Sequence, residues 1–384
     1  MSTKRTIYLD HSATTPADPR VVDAMLPFFS STYASHDSQY AQGQAAKSAL
    51  ESSRESIARI LHCQPNEICF TNGGSHSDNL ALRTLVRNVS ARNQHPHLIT
   101  TATEHSAVMK TTQQLFEVFN TPYTLLQPDK SGFIHQQDFR AACLNGGNIA
   151  SLMLANNEIG TIQSVDQLSM IAQETGVHFH TDAVQAAGQL DLNVENLGVY
   201  MLSISAHKFY GPKGVGVLYI RGGINEDDAC ELPPSANLPA IVGMARALEI
   251  AYDERDHWTR HFSELRDMLI EGVLQNIPGV VLTGDRFQRL PSHASFIFEN
   301  IDSEALIMHL DIAGIAASSA SACKTGNPEP SEVLLALGYS PKEAMGSLRL
   351  TVGRQNTPND IEYAISTLVN ITEKLRKLRH RMVL

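Results

Sequence analysis

From about residue 66 to residue 222, short apolar runs alternate with amphipathic stretches. Six of the runs are predicted to be buried strands: EICF, HLITTATEH, IASLMLANNE, VHFHTDA, MLSISAHK and GVGVLYI. The stretches between them have the period of an amphipathic helix, and VDQLSMIAQETG ends in a glycine suited to a helix C-cap. Strands that alternate with helices predict an α/β fold, with a mostly parallel sheet and helices on both of its faces.

Pro233 and Pro234 interrupt this alternation. A long helical stretch follows over residues 238–277, and the apolar runs ASFIFENI and SLRLTVGR, separated by a helix from Ser303, predict a smaller α+β unit closed by a basic C-terminal helix. The chain is long enough for two domains. We therefore expect a large domain over residues 15–245, and a small domain that combines residues 246–384 with residues 1–14.

Lys208 follows the apolar run MLSIS and precedes a glycine-rich stretch, GPKGVG at 211–216. In a parallel α/β sheet the site lies beyond the carboxyl ends of the strands. A lysine in this position can reach a pocket and, if its amine is desolvated, form a Schiff base. A lysine considered alone is more often a solvated surface group, so the neighbouring features decide between the two interpretations.

Asp182 ends the run VHFHTDA, where a buried carboxylate needs a partner. A carboxylate that keeps a pyridine nitrogen protonated makes pyridoxal 5′-phosphate (PLP) a better electron sink. Gln185, three residues further on, could hydrogen-bond the ring hydroxyl of that cofactor. The alternative is that Asp182 caps the next helix.

The string TNGGSH at 71–76 joins a predicted strand to a predicted helix, so its backbone N–H groups and the helix dipole can hold a phosphate. Gly74 allows close approach and Ser75 adds a hydroxyl, although such turns are also common structural devices. His105, at the end of another run, can stack on a flat ring and transfer protons, or be a structural histidine. With Lys208 and Asp182, these features predict a PLP site.

The five cysteines are an odd number, widely spread and without a CxxC pair. We therefore expect neither a disulfide framework nor a structural metal site. This cysteine usage fits a protein of the reducing cytosol. Cys323 lies among small residues, glycine and proline, beside Lys324, whose charge would lower the pKa of the thiol. This environment fits a nucleophile on a mobile loop, and an incidental cysteine equally well. The others are expected to be inert: Cys63, Cys69, Cys143 and Cys230.

Arg349 alternates with apolar residues in the run SLRLTVGR, which predicts a buried guanidinium on a strand. A buried arginine requires an anion. A substrate α-carboxylate would suit its two-pronged geometry, and a structural salt bridge would satisfy it as well.

Charge and hydropathy restrict the partners of the chain. The 384 residues carry a formal net charge of −10, which argues against a general nucleic-acid-binding surface. No apolar run approaches the roughly 20 residues of a membrane span, and the N-terminal residues lack the apolar core of a signal peptide. We expect a cytoplasmic protein whose partners are neither nucleic acid nor membrane.

The residues together resemble the cysteine desulfurases, the NifS/IscS-like group of the class V aminotransferases (PLP fold type I), over nearly the whole chain. Each matching string is short, but their shared order and spacing are specific. The strings are YLD at 8–10, ATTP at 13–16, EH at 104–105, ANNEIGT at 155–161, HTDAVQ at 180–185, SAHK at 205–208, GPKGVG at 211–216, residues 318–323, EPS at 329–331 and LR at 348–349.

This resemblance implies a seven-stranded, mostly parallel sheet, a homodimer with active sites at the subunit interface, and PLP held as an aldimine on Lys208. His105 would stack on the ring. Asn157 and Arg349 would bind the substrate, and Ser235 would reach the phosphate of the neighbouring subunit. The remaining cofactor contacts would be Gly74, Ser75, Asn157, Asp182, Gln185, Ser205 and His207.

The resemblance also implies the reaction. Cys323 would attack the sulfur of L-cysteine bound to the cofactor, leaving L-alanine and a Cys323 persulfide. A sulfur-acceptor protein, such as those of iron–sulfur cluster assembly, would then receive the sulfur.

Three departures from the family pattern leave alternatives open: the segment 35–43, the residues 74–77 after the phosphate turn, and a shortened segment after Arg221. One alternative is a related PLP enzyme, a selenocysteine or cysteine-conjugate lyase or a small amino-acid aminotransferase. The other is a catalytically degenerate homologue that acts as a binding subunit.

Overall fold

The computed structural model describes residues 6–223, 230, 232–319 and 329–383. The strands are β1 (Ile7–Tyr8), β2 (Ile68–Thr71), β3 (Leu98–Thr101), β4 (Tyr123–Leu126), β5 (Ile149–Ser151), β6 (His178–Asp182), β7 (Met201–Ser205), β8 (Gly216–Ile220), β9 (Val280–Leu282), β10 (His293–Phe298), β11 (Ile315–Ala316) and β12 (Ser347–Thr351).

The helices that follow or precede these strands are amphipathic, and none of those described combines the length and hydropathy needed to cross a bilayer. They are α1 (Pro19–Met25), α2 (Pro27–Ser30), α3 (Ala41–Leu61), α4 (Gly74–Ala91), α5 (Ser106–Phe119), α6 (Gln136–Leu144), α7 (Val165–Thr175), α8 (Val194–Leu197), α9 (Leu238–Asp253), α10 (Arg255–Asn276), α11 (Ser303–Ile312), α12 (Glu332–Ala336), α13 (Pro341–Ala344) and α14 (Pro358–Val383).

Seven strands form one sheet in the order β2-β8-β7-β6-β5-β3-β4. Only β8 is antiparallel to its neighbours, β2 and β7, so β2 again runs in the direction of β7 and of the other strands. This confirms the predicted α/β fold with a mostly parallel, seven-stranded sheet. It also brings the carboxyl ends of β2, β3, β5, β6 and β7 to one edge.

Both faces of this sheet are buried, as its strand sequences require. In β2, Ile68 and Phe70 belong to one apolar cluster, whereas Cys69 between them belongs to another. Successive side chains of a strand point to opposite faces, so helices must cover both sides of the sheet. The predicted C-cap of α7 is confirmed, because Gly176 ends that helix in the left-handed conformation.

A second apolar cluster forms around the antiparallel sheet β12-β10-β9 with α10, α11 and α14. Ile7 and Leu9 from the N-terminal segment are buried in it, and β1 pairs in parallel with β11. The segment before Asp10 therefore packs with the C-terminal part of the chain. The domain boundaries near residues 14 and 245 stay predictions.

The long helix predicted over residues 238–277 is two helices, α9 and α10, separated at Glu254. The Glu254 carboxylate accepts hydrogen bonds from Arg20 on α1 and from the Trp258 indole. Arg20 is 234 residues away in sequence. A local periodicity cannot detect the interaction that accompanies this break.

Cys69 and Cys230 are joined in a disulfide, which the sequence analysis did not expect. Cys69 lies in β2, which pairs with β8, and Cys230 comes after β8 in the chain. The two cysteines are 161 residues apart, and only the strand pairing brings them together. The prediction that both are inert thiols is wrong.

We expect the Cys69–Cys230 disulfide to stabilise the folded chain by about 2–5 kcal/mol, because it restricts the unfolded ensemble. Adding a reductant should therefore lower the thermal midpoint of the wild-type protein but leave that of Cys230→Ser unchanged. Cys63→Ser, which removes a free half-buried thiol, should respond to the reductant as the wild type does. An unchanged wild-type midpoint would contradict the prediction.

Candidate active site

The side chains predicted to form a site follow the strands at one edge of the large sheet. His105 comes after β3, Asn157 after β5 and Lys208 after β7, and Asp182 is the last residue of β6. The turn after β2 leads into α4 at the same edge. In open α/β sheets this is where ligands bind.

A cavity of about 430 Å³ lies at the first turn of α4. The N-terminus of this helix of 18 residues presents N–H groups and a dipole that favour an anion. Gly73, its N-cap, has a φ of 126°, which side-chain-bearing residues rarely adopt. The cavity is lined by Ala13, Thr14, Asn72, Gly73, Gly74, Ser75, His76, Ser205, His207, Lys213 and Gly214, four of which are predicted cofactor contacts.

Gly74 and Gly216 must be glycines here, because neighbouring atoms lie too close to leave room for a side chain. A Cβ on Gly74 would lie 2.7 Å from Val184 Cγ2, and a Cβ on Gly216 would lie 2.8 Å from Gly73 Cα. Such distances are below any ordinary contact, so larger residues would displace the turn from β6 or from β8. The glycines thus set the position of the N–H groups at the cavity.

His207 is held at this cavity by the N-terminal segment. Its Nδ1 lies 3.1 Å from Thr14 Oγ1, and its carbonyl accepts hydrogen bonds of 2.9 Å from the backbone and the hydroxyl of Thr15. Burial, with Lys208 and Lys213 nearby, lowers the pKa of His207 to about 4. The ring is therefore neutral at pH 7, and one nitrogen can donate to a ligand.

The Lys208 side chain is partly buried, and its amine has two partners in the N-terminal segment. Nζ donates hydrogen bonds to the carbonyls of Ser12 and Ala13. The Gln185 amide also donates to the Ser12 carbonyl, at 3.1 Å. Lys208 and Gln185 therefore lie together against the N-terminal segment.

Desolvation lowers the pKa of Lys208 to about 8. Repulsion from Arg349 lowers it further, while Asp182 and Asp10 raise it. A usable fraction of the amine is then neutral near pH 7, and only the neutral amine is a nucleophile. The partial burial and the two carbonyl partners of Lys208 therefore do not match the solvated surface lysine considered above.

Asp182 is buried, and its Oδ1 accepts a hydrogen bond of 2.8 Å from the Val184 N–H. That bond stabilises the following turn, so the capping interpretation is partly right, but it uses only one carboxyl oxygen. Burial raises the pKa of Asp182, and the opposing influences are His105, the Val184 N–H and Lys208. Burial therefore outweighs the neighbouring groups that favour the charged form of Asp182.

His105 caps α5, because its Nδ1 accepts a hydrogen bond of 3.2 Å from the Ala107 N–H. Burial lowers the pKa of His105, so the ring is neutral and carries its proton on Nε2. His105 therefore has the structural role that the sequence analysis left open, as the N-cap of α5. It leaves the ring face and Nε2 available to a ligand.

Arg349 on β12 has both a structural partner and a free donor. Nη2 lies 3.0 Å from Asp10 Oδ1, and Nη1 donates to the Asn157 carbonyl at 2.9 Å. Its buried Nε has no partner among the described residues. A buried donor without a partner costs stability, and an arriving carboxylate would satisfy it.

The carbonyl of Asn157 is fixed from two sides. Besides Arg349, His293 Nε2 lies 3.2 Å from it. Burial keeps the pKa of His293 well below its ordinary value, so this neutral ring donates from Nε2. The two bonds hold the backbone from which the Asn157 side chain projects.

Cys323 lies outside the described residues, but both ends of its segment are fixed at the site. Ser318 pairs with Arg349 through two backbone hydrogen bonds, and Ser331 donates its hydroxyl to the Glu158 carboxylate. Burial raises the pKa of Glu158 to about 7. The described residues on either side of 320–328 therefore contact Arg349 and Glu158.

Ser235 is not brought to the cavity of its own chain. It is exposed in a turn in which the Ala236 N–H donates to the Pro233 carbonyl, and it does not line the cavity at α4.

Three residues of the N-terminal segment contact the site although the sequence analysis did not predict them as site residues. Asp10 contacts Arg349, Ser12 contacts Lys208, and Thr14 contacts His207. The sequence feature that could have identified them is the family-like N-terminal motif, YLD at 8–10 and ATTP at 13–16.

Comparisons with known proteins agree with this geometry. The family model of the class-V aminotransferases matches residues 7–227 and 234–364. A cysteine desulfurase IscS of Dictyoglomus turgidum is 40% identical over 385 residues, which cover 98% of this chain and 96% of that protein. A solved structure described as a NifS-like protein has a TM-score of 0.88 at 31% identity, over 96% of this chain and 99% of that one. For a structure described as SspA in complex with cysteine, the TM-score is 0.77 at 29% identity, over 90% and 99%.

The lowered pKa of Lys208 predicts its reactivity. The rate of its reductive methylation should rise about tenfold per pH unit up to a midpoint near pH 8 and then level off, because only the neutral amine reacts. Peptide mass spectrometry after short exposure to formaldehyde and borane measures this rate.

Two variants test the cause of that midpoint. Asp182→Asn should lower it, because a neighbouring negative charge is lost, whereas Arg349→Gln should raise it, because a positive charge is lost. A wild-type midpoint near the ordinary value of 10.5 would mean that the amine is solvated after all.

Proposed function

Because this chain belongs to the class-V aminotransferase family, we propose that it is a PLP-dependent cysteine desulfurase, which converts L-cysteine to L-alanine and captures the sulfur on Cys323. The observation that carries the proposal is the desolvated Lys208 amine beside the buried Asp182, at the edge of the sheet where an anion cavity opens. The close similarity to curated cysteine desulfurases over nearly the full length supports the same substrate.

The residues fit PLP. Its phosphate matches the N–H groups at the start of α4 with Ser75, Ser205 and His207, and its pyridine nitrogen matches the free oxygen of Asp182. Gln185 and His105 would bind the ring hydroxyl and one ring face. When bound, PLP supplies an electron sink for bonds broken next to the amino-acid nitrogen.

The chain's own residues perform the remaining tasks. Lys208 Nζ is the point of covalent attachment and, once released, a base that can accept and return a proton. Asp182 holds a proton at the pyridine nitrogen. His207 and the hydroxyls of Ser75 and Ser205 fix the phosphate, which prevents the ring from rotating.

Arg349 is proposed to bind the substrate carboxylate. Its Nε is free, and its Nη2 already interacts with a carboxylate, that of Asp10. A substrate carboxylate can therefore use Nε directly and compete with Asp10 for Nη2. Asn157, whose backbone Arg349 also fixes, would contact both substrate and cofactor.

Cys323 is proposed as the nucleophile. Its thiolate attacks the cysteine sulfur, the carbon–sulfur bond breaks, and a sulfur–sulfur bond forms. The carbon skeleton takes up protons and leaves as alanine, so L-cysteine plus the thiol gives alanine plus the persulfide. The segment ends fixed at Arg349 and Glu158 support this role, because they adjoin the substrate position.

We further propose a cytoplasmic homodimer and a thiol or protein that accepts the sulfur. Ser235 is exposed in its own chain, as expected of a residue that reaches the neighbouring subunit. Nearby, side chains of α1, α2 and the segment after them present an exposed apolar surface, formed by Val22, Leu26, Phe29, Tyr33 and Tyr40. Such a surface is typical of subunit contacts.

Incubation with L-cysteine should produce alanine and add one sulfur atom to the Cys323 peptide, as measured by mass spectrometry. Cys323→Ala should lose sulfur delivery to an acceptor thiol, because the persulfide cannot form. Cys143→Ala, which removes a buried free thiol on α6, is the control. Undiminished delivery by Cys323→Ala would refute the nucleophile.

Arg349→Gln should raise the KM for L-cysteine by about tenfold to a hundredfold, the range expected for losing a charged hydrogen bond of about 1.5–3 kcal/mol. Arg140→Gln removes an exposed ion pair with Glu174 and should leave KM unchanged. Equal steady-state constants for the wild type and Arg349→Gln would mean that another cation binds the carboxylate.

A further inference from the structure

Three carboxyl groups are buried together beneath the proposed cofactor position. Asp78, Glu104 and Asp182 are 1%, 6% and 5% exposed. Like charges in a water-poor interior repel strongly, so these groups cannot all be ionised. Which of them keeps its proton determines the charge at Asp182.

Asp78, on α4, has no ion pair with lysine or arginine in the described part of the chain. Its nearest basic group is His180, whose Nε2 lies 3.7 Å from Asp78 Oδ1. His180 is completely buried, and burial lowers its pKa to about 3, so this ring carries no charge. The Asp78 Oδ1 itself has no hydrogen-bond partner among those residues.

A chain of hydrogen bonds connects Asp78 to the strands beneath the site. Asp78 is hydrogen-bonded to Ser203 on β7. The Ser203 hydroxyl lies 2.9 Å from His180 Nε2 on β6, and His180 Nδ1 lies 2.9 Å from the Ser151 hydroxyl on β5. Ser203 is also the register partner of Asp182, so this chain runs directly beside the cofactor-binding carboxylate.

The surroundings of the carboxyl groups are unequal. Asp182 receives the Val184 N–H and faces Lys208, both of which favour its charged form. Asp78 faces Asp182 and Glu104, and burial with these two groups raises the pKa of Asp78 well above its ordinary value, although its hydrogen bond with Ser203 acts in the opposite direction. Burial also raises the pKa of Glu104 well above its ordinary value, and its Oε1 accepts a hydrogen bond from the Met153 N–H.

We propose that Asp78 is a positioning residue that stays a neutral acid and donates its proton to Ser203, so that Asp182 is the one ionised carboxyl group of the three. The inference rests on the proposed function in that Asp182 is taken to hold the pyridine nitrogen. A second negative charge at Asp78 would raise the proton affinity of Asp182 and weaken its ability to act as a counterion.

The direction of the hydrogen-bond chain follows from this assignment. If Asp78 donates to Ser203, then Ser203 donates to His180 Nε2, and the His180 proton must lie on Nδ1, donated to Ser151. If Asp78 were ionised, Ser203 would donate to it, and His180 would carry its proton on Nε2. The tautomer of a residue that takes no part in catalysis therefore reports the state of Asp78.

Nitrogen NMR of the full chain, ¹⁵N-labelled at histidine, measures that tautomer. His180 is assigned by the signal that disappears in His180→Gln. We expect the Nδ1–H form between pH 6 and pH 9, with and without PLP and in the absence of any amino acid. The Nε2–H form would overturn the proposal, and this measurement on the wild type requires no Asp78 variant to fold.

Asp78→Asn supplies the second test, since an amide keeps the shape and the donor but cannot carry the charge. Its Kd for PLP and the pH midpoint of its visible absorbance should match those of the wild type within about twofold, whereas Asp182→Asn should weaken PLP binding at least tenfold. A tenfold loss in Asp78→Asn would mean that the Asp78 charge is needed. Neither readout uses cysteine turnover, so a failure to form alanine would count against the proposed function alone.

Discussion

The removal of Lys208 Nζ from water is the constraint on which the rest of the site depends. An ammonium group loses hydration when it is buried, and its pKa falls unless opposite charges replace that hydration. Here the Ser12 and Ala13 carbonyls provide partial replacement, and Asp182 and Asp10 provide charge at a greater distance. The balance leaves an amine that is protonated part of the time, which a group that must both attack and exchange protons requires.

That balance requires the N-terminal segment. Within a few residues it supplies the carbonyls for Lys208, the Asp10 carboxylate for Arg349 and the Thr14 hydroxyl for His207. Leu9 is completely buried in the second apolar cluster, so the segment is held by the same core that carries Arg349. The large sheet positions Lys208. The packing of Leu9 in the second apolar cluster holds the N-terminal carbonyls that replace water around the Lys208 amine.

Local patterns were sufficient to predict the large sheet and the positions of Asp182 and Lys208 at the ends of its strands. Strand ends can be identified from apolar runs, and Asp182 and Lys208 stand directly at such ends, where the fold class predicts a site. The Asp10–Arg349 pair spans 339 residues and the Cys69–Cys230 disulfide spans 161. Both depend on which strands become neighbours, and the break at Glu254 likewise depends on a distant arginine. Periodicity carries no information about such pairings.

The two-stranded sheet of β1 and β11 is small, yet it joins two parts of the chain with different tasks. β1 leads within a few residues to the carbonyls that hold the lysine, and β11 leads within a few residues to the segment that carries Cys323. Because β1 pairs with β11, the position of the carbonyls that hold the Lys208 amine is tied to the position of the described residues that precede the Cys323 segment.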